Sequence, residues 1–221
     1  MDYVLKRKPR GRCKMASASP KRRSKRRTPP PQDGVEAALR LAGKMPWDSI
    51  SLADIAAEAR VPEDDLRALF PTKLSLLEAY GRDVDERVRT RGTTISMDEK
   101  MKDRLFEAIM IRLDILGDHK DAVASIISAT LRGNPKTITA GASALRRAMA
   151  QLLDLCGEPS SGLCRQLKLR ALGVIYFYVL GVWLRDDTPD TGKTMAALDK
   201  ALARAETVIK SLPTSPLHRT Q

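Results

Sequence analysis

The sequence predicts an all-α chain: an N-terminal three-helix unit built around a helix-turn-helix, followed by a larger helical body. Three observations predict it. Apolar residues recur at three- and four-residue steps through most of the chain after residue 34, and alternating strand patterns are nearly absent. Two short runs of that periodicity, Leu52, Ile55, Ala56, Ala59 and then Leu66, Leu69, Phe70, flank a break at Arg60-Val61-Pro62, the outline of two helices joined by a tight turn. Stop and start signals (Gly, Asn, Pro, Asp) punctuate the rest at helix-length intervals.

In chain order, residues 1–34 hold twelve Lys and Arg against Asp2 and Asp33, a net +10 out of the chain's +12. The remaining residues, 35–221, are close to neutral. Residues 1–34 have almost no large apolar residue after Leu5, so they are expected to be a disordered basic arm. Its segment Lys6-Arg7-Lys8-Pro9-Arg10-Gly11-Arg12 resembles an AT-hook, which implies that Arg10 and Arg12 lie in a narrow A·T minor groove. A second cluster including Arg22 and Arg23 is suited to tracking phosphates.

Residues 35–80 form the expected helix-turn-helix unit. Ser51 with Asp54 reads as a capping box for its second helix, and Pro62 suits the first position of the third. Glu63, Asp64 and Asp65 at the start of that third helix favour its dipole but repel phosphates. Leu74, Leu77 and Val84 continue a fourth helix to about Arg91.

Residues 81–212 are expected to be the ligand-binding and dimerisation domain, and 213–221 a disordered tail. Ser96-Met97-Asp98-Glu99 reads as a capping box opening a helix with the stripe Leu105, Ile109, Leu113, Leu116. A shorter helix runs from about Asp121 to Leu131 and stops at Arg132-Gly133-Asn134-Pro135. Another, marked by Leu145, Ala148, Met149, Leu152 and Leu155, closes at Gly157-Glu158-Pro159.

Ala171–Leu184 is apolar all round and is expected to be buried on every side. At fourteen residues it is shorter than the roughly 18 that a membrane span needs. It suits plain core, a dimer interface at Leu180, or a cavity for an apolar ligand lined by Phe106, Ile109, Tyr176, Tyr178 and Trp183. The last helix follows Asp187-Thr188-Pro189-Asp190 with a regular stripe. Its residues Met195, Leu198, Leu202 and Ile209 are read as a seam for the partner helix of a homodimer. Its cations would also suit a membrane surface, but Asp199 and Glu206 dilute them and helix packing is favoured.

Nothing here has the pattern of an enzyme. His119 and His218 lack metal-ligand spacing, no Gly-rich phosphate loop follows a strand, and Asp64-Asp65 and Asp186-Asp187 read as solvated caps. No metal or cofactor is expected. Cys13, Cys156 and Cys164 make neither a disulfide framework nor a zinc pattern, and the N-terminus lacks a secretory apolar stretch, so a cytoplasmic protein with reduced thiols is expected.

The motif Ser51-Leu52-Ala53-Asp54-Ile55-Ala56-Ala57-Glu58-Ala59, then Val61, then Leu69-Phe70-Pro71-Thr72-Lys73-Leu74-Ser75-Leu76-Leu77-Glu78-Ala79, resembles the DNA-binding domain of the TetR family of bacterial regulators. The resemblance implies a TetR-like dimeric fold in a bacterial cytoplasm, with DNA contacts from Ser51, Arg60, Arg67 and Lys73. Lys73 occupies the position of a family phosphate contact. The segment departs from the family at Arg60, where glycine is usual, and at the acidic start of the recognition helix.

A second likeness covers roughly residues 100–205. Asp103-Arg104-Leu105-Phe106, Lys168-Leu169-Arg170-Ala171-Leu172 and Trp183-Leu184-Arg185-Asp186-Asp187-Thr188-Pro189-Asp190 resemble the lipid-binding accessory proteins of coenzyme Q biosynthesis. Those proteins share the TetR fold, which implies an isoprenoid-lipid carrier as the second functional reading.

Overall fold

The computed structural model describes residues 31–159 and 161–211. Among them the chain forms nine α-helices, two 3₁₀ turns and no strand. Arg10, Arg12, Arg22 and Arg23, with the rest of the first thirty residues, lie outside the described residues, as does the side chain of Ile209.

The first helix, α1 (Pro31–Ala42), opens four residues before the boundary that composition sets. A 3₁₀ turn at Trp47–Ser49 leads to α2 (Leu52–Glu58) and α3 (Glu63–Leu69), the two helices of the expected helix-turn-helix, called the reader below. Pro62 is the N-cap of α3 and not its first residue. These elements close around Ala38, Leu39, Trp47, Ile50, Ile55, Leu66 and Phe70, all buried. Each large apolar side chain in that core contributes roughly 1.5–3 kcal/mol. Gly34 of α1 lies close to α3: a Cβ there would stand 2.7 Å from Leu66 Cδ1, so any larger residue would force the Leu66 side chain to shift.

Helix α4 (Lys73–Arg91) begins at a Thr72 capping box and runs from the reader into the body. The body continues through α5 (Met101–Gly117), α6 (Lys120–Arg132), α7 (Pro135–Leu155), α8 (Gly162–Leu184) and α9 (Gly192–Ser211). Its core gathers Val88, Ile109, Leu113, Met149, Leu152, Val179 and Leu198. Ala122 and Ala129 of α6 belong instead to the reader's core, so α6 is a wall shared by both halves.

Three local readings are corrected. Ser96 organises a turn by accepting from the Asp98 amide at 3.3 Å, while α5 starts later with Lys100 as its N-cap. Asn134-Pro135 starts α7 as well as stopping α6, since the Asn134 side chain accepts from the Thr137 amide at 3.0 Å. Asp186 is no solvated cap but is buried, and its carboxylate accepts from the Thr194 amide (2.8 Å), the Thr194 hydroxyl (2.6 Å) and Thr188. Hydrogen bonds from Thr188 and Thr194 hold its pKa well below the carboxylate range. The Asp-Asp-Thr-Pro-Asp turn thus serves to start α9.

Helix α8 also departs from expectation. At 23 residues, with a mean hydropathy of 1.6 in its best window, it has the length and composition of a membrane span, although it packs on α7 and α9. It is not buried on every side: Leu163, Leu167, Val174, Phe177 and Tyr178 are exposed.

Candidate nucleic-acid interface

The reader is built by local chemistry. Ser51 caps α2 as expected: the Asp54 amide donates to Ser51 Oγ at 3.1 Å, and the Ser51 amide donates to Asp54 Oδ2 at 2.8 Å. The Ser51 hydroxyl and amide hold the Asp54 carboxyl below its ordinary pKa. After Ala59 the chain turns through Arg60, whose φ of 56° is left-handed. The Arg60 amide donates to the Ala57 carbonyl at 3.1 Å and the Val61 amide to the Ala56 carbonyl at 3.0 Å, the two bonds of a Schellman motif. This is a position that glycine adopts without strain, which is the physical sense of the departure at Arg60.

Over the buried Ile55, Ala56 and Leu66, the outer surface presents Ser51, Ala57, Arg60, Pro62, Asp64, Arg67 and Ala68. Three of the four DNA contacts expected in the motif are therefore at the surface. Arg67 is ion-paired with Glu63 one turn back on α3, and Arg40 with Glu58 at 2.9 Å. Both pairs are solvent-exposed and add little stability. With Glu63, Asp64 and Asp65 against Arg67, α3 itself is acidic.

Lys73 differs from the other three. Its ammonium is half-buried and donates to the Trp47 carbonyl (2.6 Å) and the Ile50 carbonyl (2.7 Å), 4.7 Å from the Trp47 ring centroid. Desolvation pulls its pKa below that of an ordinary lysine. Neither Trp47 nor Ser125, whose hydroxyl accepts from the Trp47 amide at 2.9 Å, was indicated by the sequence. A lone tryptophan between helices has no periodicity to mark it.

The expected pocket residues are not brought together. Ile109, Tyr176 and Trp183 are buried in the body core, with Arg112 against Tyr176 and the Lys120 ammonium 5.3 Å from the Trp183 ring. Phe106 faces an open, acidic groove between α5 and α9, and Tyr178 points outward. An apolar cleft of about 380 Å³ lies elsewhere, between α4, α6, α7 and α8, lined by Leu77, Ile126, Leu131, Ile138, Leu145 and Phe177, with Glu78, Thr130 and Arg147 as its polar groups.

The expected dimer seam is corrected as well. Leu198 and Leu202 are buried where α9 packs on α5 and α8, and Leu180 is buried between helices of the same chain. Met195 is half-buried beside Phe106. Leu180, Leu198 and Leu202 are consumed by folding within the one chain, while Met195 stays partly exposed. Cys156 is buried in the body core, where desolvation raises its pKa to about 11, while Cys164 is exposed; both are free thiols.

No protein-family profile matches the sequence, and no curated protein does. Solved structures do match. A TetR transcriptional regulator from Nitrosomonas europaea aligns over 80% of this chain and 98% of its own, at 22% identity and a TM-score of 0.65. The chain has the TetR fold. A TetR regulator from Rhodococcus sp. RHA1 (18% identity, 83% and 96% coverage, TM-score 0.61) and a TetR-family regulator from Streptomyces coelicolor (19%, 81% and 85%, 0.56) have the same architecture. The likeness of fold thus extends over about four-fifths of the chain.

Proposed function

We propose that this protein is a TetR-like, DNA-binding transcriptional regulator that acts as a homodimer and responds to an apolar ligand. The observation that carries the reading is the outward α2–α3 unit, with Ser51, Arg60 and Arg67 exposed above a buried apolar core. Structural neighbours named as transcriptional regulators support it.

The acidic α3 weakens phosphate binding, and the basic arm compensates. Residues 1–30 carry twelve cations and join the fold at Pro31, one helical turn before Gly34 touches Leu66 of α3. In this reading Arg10 and Arg12, with Arg22 and Arg23, supply the electrostatic part of DNA affinity. The exposed apolar face of α8, from Leu163 through Val174 to Tyr178, is the surface that a second copy covers. The cleft between α4 and α6–α8 is of a size to hold a small apolar molecule. Such a ligand regulates DNA binding only by favouring one dimer geometry over the other.

The test compares the full chain with one beginning at Pro30 on an A·T-rich duplex, from 50 to 200 mM salt. The full chain is expected to bind with a steep salt dependence, and the shortened chain at least tenfold more weakly with a shallower slope. Absence of binding by either chain at 50 mM salt would refute the regulator reading.

A further inference from the structure

The Lys73 ammonium lies in a cup whose walls are all protein: two backbone carbonyls at 2.6 and 2.7 Å and the face of an indole. Charge-assisted bonds to carbonyls are about twice as strong as neutral ones. Two of its three N–H donors are thus committed, and a lysine that swung out towards a phosphate would give both up and leave the Trp47 and Ile50 carbonyls to find other donors. The cup also stands at a junction. The Trp47 amide donates to Ser125 Oγ on α6 at 2.9 Å, and the same hydroxyl lies 3.4 Å from the Met45 carbonyl. One turn of chain is therefore held from α4 by Lys73 and from α6 by Ser125. That turn ends at Ile50, and the next residue, Ser51, caps the first reader helix.

We propose that Lys73 is a positioning residue of the DNA-binding unit and not a phosphate contact: it locks the Trp47 turn onto the start of α4 and so fixes the angle at which α2–α3 is presented. The proposal rests on the DNA-binding reading above. It assigns to internal geometry the cation that the sequence resemblance would send to DNA. The salt-dependent part of affinity then belongs to other cations, those of the arm and the exposed Arg60 and Arg67.

The salt slope separates the two roles, because losing one phosphate contact lowers the slope of log K against log salt by about 0.9, whereas losing orientation lowers affinity at every salt concentration alike. The experiment uses full-length wild type, Lys73→Met and Lys73→Gln on one A·T-rich duplex. Each is also made in a Trp183→Phe background, so that Trp47 is the sole tryptophan. Lys73→Gln, uncharged but still able to donate to a carbonyl, guards against a Met variant that misfolds.

The expected result is a loss of at least tenfold for Lys73→Met with the slope unchanged, partial recovery in Lys73→Gln, and a red-shifted Trp47 emission that Gln partly reverses. A slope lowered by about 0.9 per protomer with Trp47 emission unmoved would make Lys73 a phosphate contact and overturn the proposal. A lower Tm with unchanged affinity would make it merely structural, and overturns it equally. If wild type binds no duplex, the regulator reading fails on its own account. Trp47 emission then decides the lock: a red shift in Lys73→Met upholds it, and none overturns it.

Discussion

Helices α8 and α9 are neighbours of similar length, and they use apolar residues in opposite ways. The stripe on α9 faces inward at Leu198 and Leu202, 0% and 4% exposed, and among its large apolar residues whose side chains are described only Val208 stands exposed. Helix α8 buries Leu172, Tyr176, Val179 and Trp183 but leaves Leu163 89%, Val174 72% and Tyr178 57% exposed. A clean helical stripe is therefore the mark of packing within one chain. The excess of apolar residues around α8 is the surface that the proposed function assigns to a second copy.

The sharpest way to break that comparison is to charge the outer face of α8. If the proposed homodimer forms through this face, Val174→Glu with Tyr178→Glu is expected to convert it to a monomer, weakening association at least 100-fold, with far-UV circular dichroism unchanged; sedimentation velocity reads the outcome. Persistence of a dimer would move the interface elsewhere. The matching change on α9, Leu198→Ala, is expected to cost about 2–5 kcal/mol of stability and leave the sedimentation coefficient at that of wild type. Denaturant titration at equal dimer concentration measures it.

The junction between the two helices sharpens the contrast further, since Asp186 follows α8 and caps α9 through Thr194. Asp186→Ala is expected to lower Tm by several degrees at pH 7. Because the folded-state pKa is depressed, the native carboxylate's contribution is full above the unfolded value of about 4 and disappears as pH falls through the lower folded value. Melting curves of wild type and variant should therefore converge below pH 4. The smallest effect is expected in the reader: Arg60→Gly relieves a left-handed arginine and should raise stability by about 1 kcal/mol while weakening DNA binding. A fall in stability would mean that Arg60 makes a contact stronger than its strain.

Much of this architecture was legible in the residues. Ser51 and Asp54 marked the cap of α2, the end of α4 fell at Arg91, and the stop at Arg132 held. Those features depend on neighbours within four residues. What escaped depends on contacts across the fold. Asp186 reaches eight residues ahead to Thr194, Lys73 reaches back to Trp47 and Ile50, and Ser125 meets Trp47 from 78 positions away. Of the expected DNA contacts, Ser51, Arg60 and Arg67 are exposed, whereas Lys73 turns inward because backbone carbonyls, invisible to any side-chain pattern, compete for it. Four of the five expected pocket residues, Phe106, Tyr176, Tyr178 and Trp183, are aromatic. Aromatic side chains that find complementary neighbours fill a core and do not line a void.

On α6, Ser125 holds the Trp47 turn, and the very next residues, Ile126 and Ile127, line the apolar cleft. If the proposed function holds, a molecule filling that cleft and a DNA duplex bound at α2–α3 would thus act on adjacent residues of one helix. Thermodynamic reciprocity then requires that whatever factor the small molecule imposes on DNA affinity, DNA imposes on the small molecule. Occupied promoter sites would retain or expel the effector by the same ratio.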